Sequence, residues 1–119
     1  MKRSRAEDIL HTSIAKYLAL AEPEGFFWTS IENRRNGRNE GGRRKNRGCK
    51  AGVPDILTIY RGSVLFLEVK SLKGRLQPSQ KERIPEINNA GAGVVIVKSV
   101  EDVFHALTRA GVPLRATPA

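Results

Sequence analysis

A closely spaced pair of short apolar segments places the strongest constraint on how this chain can fold. The segments run from Ile56 to Tyr60 and from Val64 to Val69, and only Arg61 to Ser63 separates them. Because so short a connection joins antiparallel strands, the pattern predicts a β-hairpin. With the turn centred on Arg61 and Gly62, the numbers of residues that face each other across the hairpin sum to about 123.

Three charged residues flank the open end of this hairpin. Asp55 follows Pro54 and faces Glu68, because their numbers sum to about 123 under the same antiparallel register. Glu68 and Lys70 are two residues apart, so they project from one face of the sheet while Val69 points to the other. Two carboxylates and an ammonium group are therefore expected to converge.

Such a convergence is typical of a metal site that acts on phosphates. Two adjacent carboxylates repel each other unless a divalent cation lies between them, and oxygen ligands favour Mg²⁺ or Mn²⁺ over zinc. The cation polarises a phosphate and activates a bound water, while a neighbouring lysine orients that water or offsets charge on phosphorus. Hydrolysis of phosphodiester bonds is the implied reaction. The alternative is an ordinary turn at Asp55 and an exposed Glu68–Lys70 ion pair.

The composition describes a basic domain that can bury a core. The chain has 119 residues, 39% of them hydrophobic, and a formal net charge of +9. This predicts a single domain over residues 1–119 with a nucleic acid as its partner. Apolar runs fall far short of the ~20 residues that span a bilayer. Because Glu7 and Asp8 stand where a signal peptide needs apolar residues, we expect an intracellular, cytoplasmic protein.

Periodicity elsewhere predicts an α/β fold, a mixed sheet flanked by helices in the order α-β-β-β-α-β-α. Helices are expected over about 5–21, 78–90 and 100–110, and strands outside the hairpin over about 26–31 and 94–97. The strand over 94–97 has the apolar composition of a buried strand. Pro85 should kink or break the second helix.

Glu7 has two open interpretations. At about 100° per residue it falls in line with Leu10, Ile14 and Leu18, so its side chain should point inward across the sheet. It is also the N3 residue of a capping box that Ser4 opens, a role it can fill in the first helical turn without contacting a metal.

Residues 34–50 form a basic segment with a single acid, Glu40. At this density, next to a phosphate-cleaving site, the basic side chains are expected to neutralise a DNA backbone and to recognise shape more than sequence. The alternative is a solvated linker. The expected contacts are Arg34, Arg35, Arg38, Arg43, Arg44, Lys45, Arg47 and Lys50.

The motifs resemble a known family. Pro54-Asp55, twelve residues and then Glu68-Val69-Lys70 resemble the PD-(D/E)xK nuclease signature, and the element order is similar to that superfamily's core. The segments 52–56 (GVPDI), 76–80 (LQPSQ) and 99–102 (SVED) resemble its VRR-NUC branch, which includes small viral and bacterial proteins. The resemblance extends from residue 7 to residue 107.

This resemblance implies a metal-dependent nuclease that acts on DNA, often at branched or flapped structures, with Mg²⁺ as cofactor and Mn²⁺ as a substitute. By position, Asp55 and Glu68 would be metal ligands and Lys70 the catalytic lysine. The carbonyl of Val69 would be a further ligand. Glu7 matches the family's N-terminal helix acid, a candidate ligand.

Gln80 matches a glutamine typical of the branch, and the resemblance implies that it orders the lysine or the phosphate side of the site. The alternative is a solvated helix residue. His11 is expected to be a packed or outer group and not a ligand. The chain departs from the family pattern at Gln77, where a serine cap is expected, and at Pro85.

The sequence therefore predicts a metal-dependent DNA endonuclease, selective for branched, junction or flap structures. The alternatives are a basic nucleic-acid-binding module without turnover and a sequence-specific, restriction-type nuclease. A homodimer is also expected, because cutting two strands needs two sites. Its interface is expected at Phe26 to Trp28 or near Phe104.

Overall fold

The computed structural model describes residues 4–31 and 46–119. The order of elements in these ranges confirms the predicted α-β-β-β-α-β-α arrangement. The elements are α1 (Arg5–Ala21), β1 (Phe26–Ser30), β2 (Ile56–Tyr60), β3 (Ser63–Val69), α2 (Pro78–Asn89), β4 (Gly93–Val97) and α3 (Val100–Arg109). Among the described residues, no helix is long and apolar enough to cross a membrane.

The four strands form one mixed sheet in the order β1-β2-β3-β4. Strands β1 and β2 are antiparallel, as are β2 and β3. Strand β4 lies parallel to β3, and α2 lies in the crossover between them. A parallel pair needs a long connection of this kind, whereas the hairpin does not.

The hairpin register is the predicted one. Ile56 pairs with Leu67 at the open end and Tyr60 pairs with Ser63 next to the turn. Arg61 and Gly62 have φ angles of 47° and 86°, and a two-residue hairpin turn of the I′ type needs positive φ at both positions. Because the turn has only these two residues, β3 begins at Ser63, one residue before the prediction.

A closed apolar core covers one face of the sheet. Helices α1 and α3 pack on it, and Ile14 and Leu18 of α1 are fully buried there against Leu67 and Val69 of β3. Successive side chains of a strand point to opposite faces, so Glu68 lies on the face away from this core. The buried apolar side chains are Ile14, Tyr17, Leu18, Ala21, Phe26, Ile56, Leu67, Val69, Val97, Val103, Leu107 and Val112.

Two expectations about the second half of the chain need correction. The strand β4 is only partly buried, and Ile96 is 41% exposed, because β4 forms an edge of the sheet. Helix α2 continues through Pro85 to Asn89, so the helix is not broken there. The fixed φ of proline is compatible with a helix, and α2 buries none of its residues, so no core packing depends on the lost hydrogen bond.

Candidate active site

Asp55 is fixed at the open end of the hairpin through both its backbone and its side chain. The Val69 amide donates a hydrogen bond to Asp55 Oδ2 at 2.8 Å, and the Ile31 amide donates to the Asp55 carbonyl oxygen at 2.7 Å. One step beyond the Ile56–Leu67 pair, the hairpin register brings Asp55 opposite Glu68. The predicted approach of the two carboxylates is thus observed.

Glu68 is a buried carboxylate whose two oxygens have different surroundings. Its side chain is 1% exposed. Gln80 Nε2 donates a hydrogen bond to Glu68 Oε2 at 2.8 Å, and Lys70 Nζ lies 3.6 Å from the same oxygen. In the part of the chain that the structure describes, Glu68 Oε1 is buried with no hydrogen-bond partner. Lys70 is itself only 5% exposed, so the alternative of an exposed ion pair is wrong.

This environment raises the pKa of Glu68 to about 8. Burial is the largest cause, because it disfavours the charged form, and the neighbouring Asp55 carboxylate raises the pKa further. Lys70 opposes both effects without overcoming them. The site therefore holds a carboxylate whose ionisation needs more positive charge than Lys70 supplies.

A close backbone approach holds the start of α2 against the segment that leads to Asp55. Gly52 has a φ of 80°, and a Cβ atom there would lie 2.2 Å from the carbonyl oxygen of Ser79. Only glycine fits both the conformation and the space. Arg83 Nε also donates a hydrogen bond to the Ala51 carbonyl at 2.9 Å. These contacts keep the first turn of α2 beside the hairpin end.

Gln80 uses both ends of its side-chain amide. Its Oε1 accepts a hydrogen bond from the Gln77 backbone amide at 2.8 Å, the N3 half of a capping box in which Gln77 is the N-cap. Its Nε2 donates to Glu68 Oε2, so this hydrogen bond orders a carboxylate of the site. The Gln77-x-x-Gln80 spacing is compatible with a capping box and could have indicated the first of these contacts. The hydrogen bond to buried Glu68 contradicts the interpretation of Gln80 as a solvated residue.

Glu7 forms the contact expected of a capping box. Its backbone amide donates to Ser4 Oγ at 3.1 Å, and its half-buried carboxylate lies beside Gly74, where an added Cβ would be 2.8 Å from Glu7 Oε2. Within residues 4–31 and 46–119, no three or more His, Cys, Asp or Glu side chains are grouped to hold a metal. The capping interpretation of Glu7 is thus confirmed, and metal binding by its carboxylate stays a prediction.

The other predicted residues are placed as follows. His11 contacts Ser30, with 2.8 Å between Nε2 and Oγ, consistent with a packed group. The Val69 amide serves Asp55, and metal binding by its carbonyl stays a prediction. Arg47 and Lys50 are exposed. The other basic positions, Arg34, Arg35, Arg38, Arg43, Arg44 and Lys45, lie outside the described residues.

These groups suit a hard divalent cation. Asp55 and Glu68 supply carboxylate oxygens, and Glu68 Oε1 is buried without a hydrogen bond in the described part of the chain. A cation beside this oxygen would satisfy it and would remove the repulsion between the two carboxylates. The residues present therefore fit a Mg²⁺ or Mn²⁺ ion.

The mixed sheet and the Asp55, Glu68 and Lys70 set define a nuclease-type fold. The family model of the VRR-NUC domain matches residues 29–101, and the chain belongs to this family. A solved structure named VRR_NUC domain protein is 24% identical, with a TM-score of 0.72, over 91% of this chain and 89% of that one. Another, named VRR_NUC domain, is 23% identical, with a TM-score of 0.57, over 88% and 97%. A search of curated proteins found no significant match.

Proposed function

We propose that this protein is a metal-dependent DNA endonuclease that hydrolyses phosphodiester bonds, with Mg²⁺ as its cofactor and Mn²⁺ as a substitute. The observation that carries the proposal is the buried Glu68 carboxylate, with one oxygen held by Gln80 and Lys70 and the other without a hydrogen bond among the described residues. Family membership supports a nuclease fold and a nucleic acid substrate.

A divalent cation held by Asp55 and Glu68 would polarise the scissile phosphate and lower the pKa of a bound water. The protein's own contribution is to orient its ligands before the substrate arrives. The Val69 amide fixes the Asp55 carboxylate, and Gln80 fixes one oxygen of Glu68, so Oε1 would be left to bind the cation. Val69 would add its carbonyl oxygen as a further ligand.

Lys70 is the positive group of the site. Its ammonium lies 3.6 Å from Glu68 Oε2 and is almost completely buried, so its charge is poorly screened by water. An ammonium donates hydrogen bonds and cannot bind a cation. Its role is therefore to orient the attacking water or to stabilise negative charge on the phosphate oxygens in the transition state.

The proposed substrate is DNA, recognised by shape at branches, junctions or flaps. The net charge of +9 and the exposed Arg47 and Lys50 favour contacts to the phosphate backbone. Replacing Arg43, Arg44 and Lys45 together with alanine should weaken binding to all DNAs alike and flatten the salt dependence of log K by up to ~3 units. A loss confined to one sequence would favour a restriction-type nuclease.

The decisive experiment is cleavage of a panel of labelled duplex, single-stranded, flap and four-way junction DNAs with Mg²⁺, Mn²⁺ or EDTA. We expect cleavage with either metal, none in EDTA, and faster cutting of the branched substrates. Tight binding without cleavage under every condition would contradict the proposal and would favour a basic binding module without turnover.

We also propose a homodimer, because cutting two strands in one encounter needs two sites at a fixed separation. Phe27 on the edge strand β1 is 57% exposed, which supports a contact at this residue, whereas Phe26 is buried in the core and Phe104 of α3 is half-buried. Light scattering should find a dimer at micromolar concentration. A monomer whose nicks in the two strands are kinetically independent would contradict this proposal.

A further inference from the structure

A short turn directly after Lys70 holds a large apolar side chain in water. The turn is formed by residues 71–74, and Leu72 within it is 82% exposed. Among the described residues, this is the highest exposure of any large hydrophobic side chain, above Leu20 at 75% and Ile9 at 59%. A single exposed leucine is ordinary by itself, so the argument depends on how this one is held and on where it lies.

The turn is anchored on several sides. The Gly74 amide donates to the Ser71 carbonyl at 3.0 Å and closes the turn. Lys98 Nζ donates to the Leu72 carbonyl at 3.1 Å. Just before the turn, the Lys70 amide donates to the Val97 carbonyl of β4 at 3.0 Å. The backbone that carries Leu72 is therefore held in place before any ligand binds. Binding would then cost little entropy for ordering this turn.

Gly74 adds a further constraint, because a Cβ atom at this position would lie 2.8 Å from Glu7 Oε2 and 3.1 Å from Ser71 Oγ. The turn therefore packs closely against the start of α1. This contact faces the protein, whereas Leu72 faces water. The exposed leucine is thus presented by a turn that is packed on its other side.

The turn also lies beside the candidate active site, which includes Lys70. Leu72 is two residues from Lys70, so their Cα atoms are at most about 7.6 Å apart. Lys73 and Arg75 are exposed, and in the part of the chain that the structure describes neither forms a salt bridge. An apolar side chain followed by two solvated cations complements a nucleic acid strand, which offers apolar base faces between phosphates.

We propose that Leu72 is an apolar wedge that inserts against the bases next to the phosphate bound at Asp55, Glu68 and Lys70. In this arrangement Lys73 and Arg75 contact the flanking phosphates. Proteins that distort DNA insert leucine and similar side chains between base steps in this way. The inference rests on the proposed function, and it adds that the bound DNA is unstacked at the cleavage position.

The test compares two leucines of similar exposure. Leu72→Ser removes the proposed wedge, and Leu20→Ser is the matched control, because Leu20 lies thirteen residues, ~20 Å along α1, from Glu7. Leu72→Met keeps an apolar side chain. Each variant binds a fluorescent four-way junction and the matching duplex in EDTA, where no cleavage occurs, and fluorescence anisotropy is measured over a range of salt concentrations.

We expect Leu72→Ser to weaken binding roughly tenfold at every salt concentration, because an apolar contact is lost. The slope of log K against log salt should not change, because no charge is removed. Lys73→Ala should instead lower this slope by ~1. Leu20→Ser and Leu72→Met should bind like the wild type.

Three outcomes would overturn the wedge. Equal binding by Leu72→Ser and Leu20→Ser shows that Leu72 does not contact DNA. A weaker affinity accompanied by a change in oligomeric state on light scattering shows that Leu72 contacts a second copy of the chain. Failure of the wild type to bind any DNA contradicts the proposed function and the wedge together, whereas the first outcome contradicts the wedge alone.

Discussion

The two faces of the sheet differ in how their buried groups are satisfied. On the face covered by α1 and α3, the buried side chains are almost all hydrocarbon, and the buried Thr58 hydroxyl donates to the Leu65 carbonyl at 2.7 Å. On the other face, Glu68 and Lys70 are 1% and 5% exposed, and Glu68 Oε1 has no hydrogen bond within the described ranges. The apolar face stabilises the fold, whereas the face with Glu68 and Lys70 buries charged groups at a cost in electrostatic free energy.

The helices repeat this difference. Helix α1 buries Ile14, Tyr17, Leu18 and Ala21, whereas α2 buries none of its residues. The contacts of α2 with the site region are polar or backbone contacts, through Gln80, Arg83 and the approach of Gly52 to Ser79. Stability and site geometry therefore depend on different helices, and substitutions can separate the two.

The largest expected effect is on catalysis. Asp55→Asn or Glu68→Gln should abolish cleavage and leave DNA binding near wild type or slightly stronger, because each removes a ligand charge and reduces repulsion of phosphate. Glu101→Gln, at an exposed position of α3, is the matched control. Loss of a catalytic metal ligand should lower the rate far more than tenfold. The metal-ligand assignment would therefore be contradicted if either site variant still cleaved at about a tenth of the wild-type rate.

The next effect is on stability and tests the apolar face. Leu18→Ala should lower the free energy of unfolding by about 2 to 5 kcal/mol, because it leaves a cavity in a fully buried core. Ile87→Ala on α2 should cost less, since Ile87 is only half-buried. Urea unfolding of both variants gives the comparison. Equal losses would mean that α2 contributes as much as α1 to the core.

A smaller effect should appear when the orientation of Glu68 is disturbed. Gln80→Ala should lower the cleavage rate or the metal affinity by about 10- to 100-fold, as for other side chains that orient a metal ligand. Raising the Mg²⁺ concentration should restore part of the rate. Glu82→Gln, at an exposed position in the same helix, is the control. A loss of stability without any change in metal dependence would assign Gln80 a capping role alone.

The remaining effect is a pH dependence of stability in EDTA. The folded-state pKa of Glu68 is about 8, above its ordinary value of 4.5. Below pH 4.5 Glu68 is protonated in both the folded and the unfolded protein. Between pH 4.5 and about 8 it ionises in the unfolded protein and stays protonated in the folded one, so the free energy of unfolding falls as the pH rises. Glu68→Gln should therefore gain stability relative to the wild type as the pH rises across this window. A difference that is independent of pH would contradict the buried-carboxylate account.

Local patterns in the sequence predicted much of the fold and part of the site. The two-residue turn at Arg61 and Gly62 fixes the hairpin register. Each residue further along β2 then pairs with the residue one earlier or later in β3, which places Asp55 opposite Glu68. The predicted bounds of α1, residues 5–21, were also correct. These features depend on residues that are close in sequence or joined by one tight turn.

Tertiary packing decided the rest. Only the fold shows that Gln80 holds Glu68 and that Gly52 meets the backbone of α2. Each of these contacts depends on which face of the sheet a helix covers, and periodicity within one segment carries no information about that. The sequence by itself determined that two carboxylates and a lysine converge, because chain geometry requires it. The burial that raises the pKa of Glu68 comes from elements distant in sequence, so only the tertiary structure could reveal it.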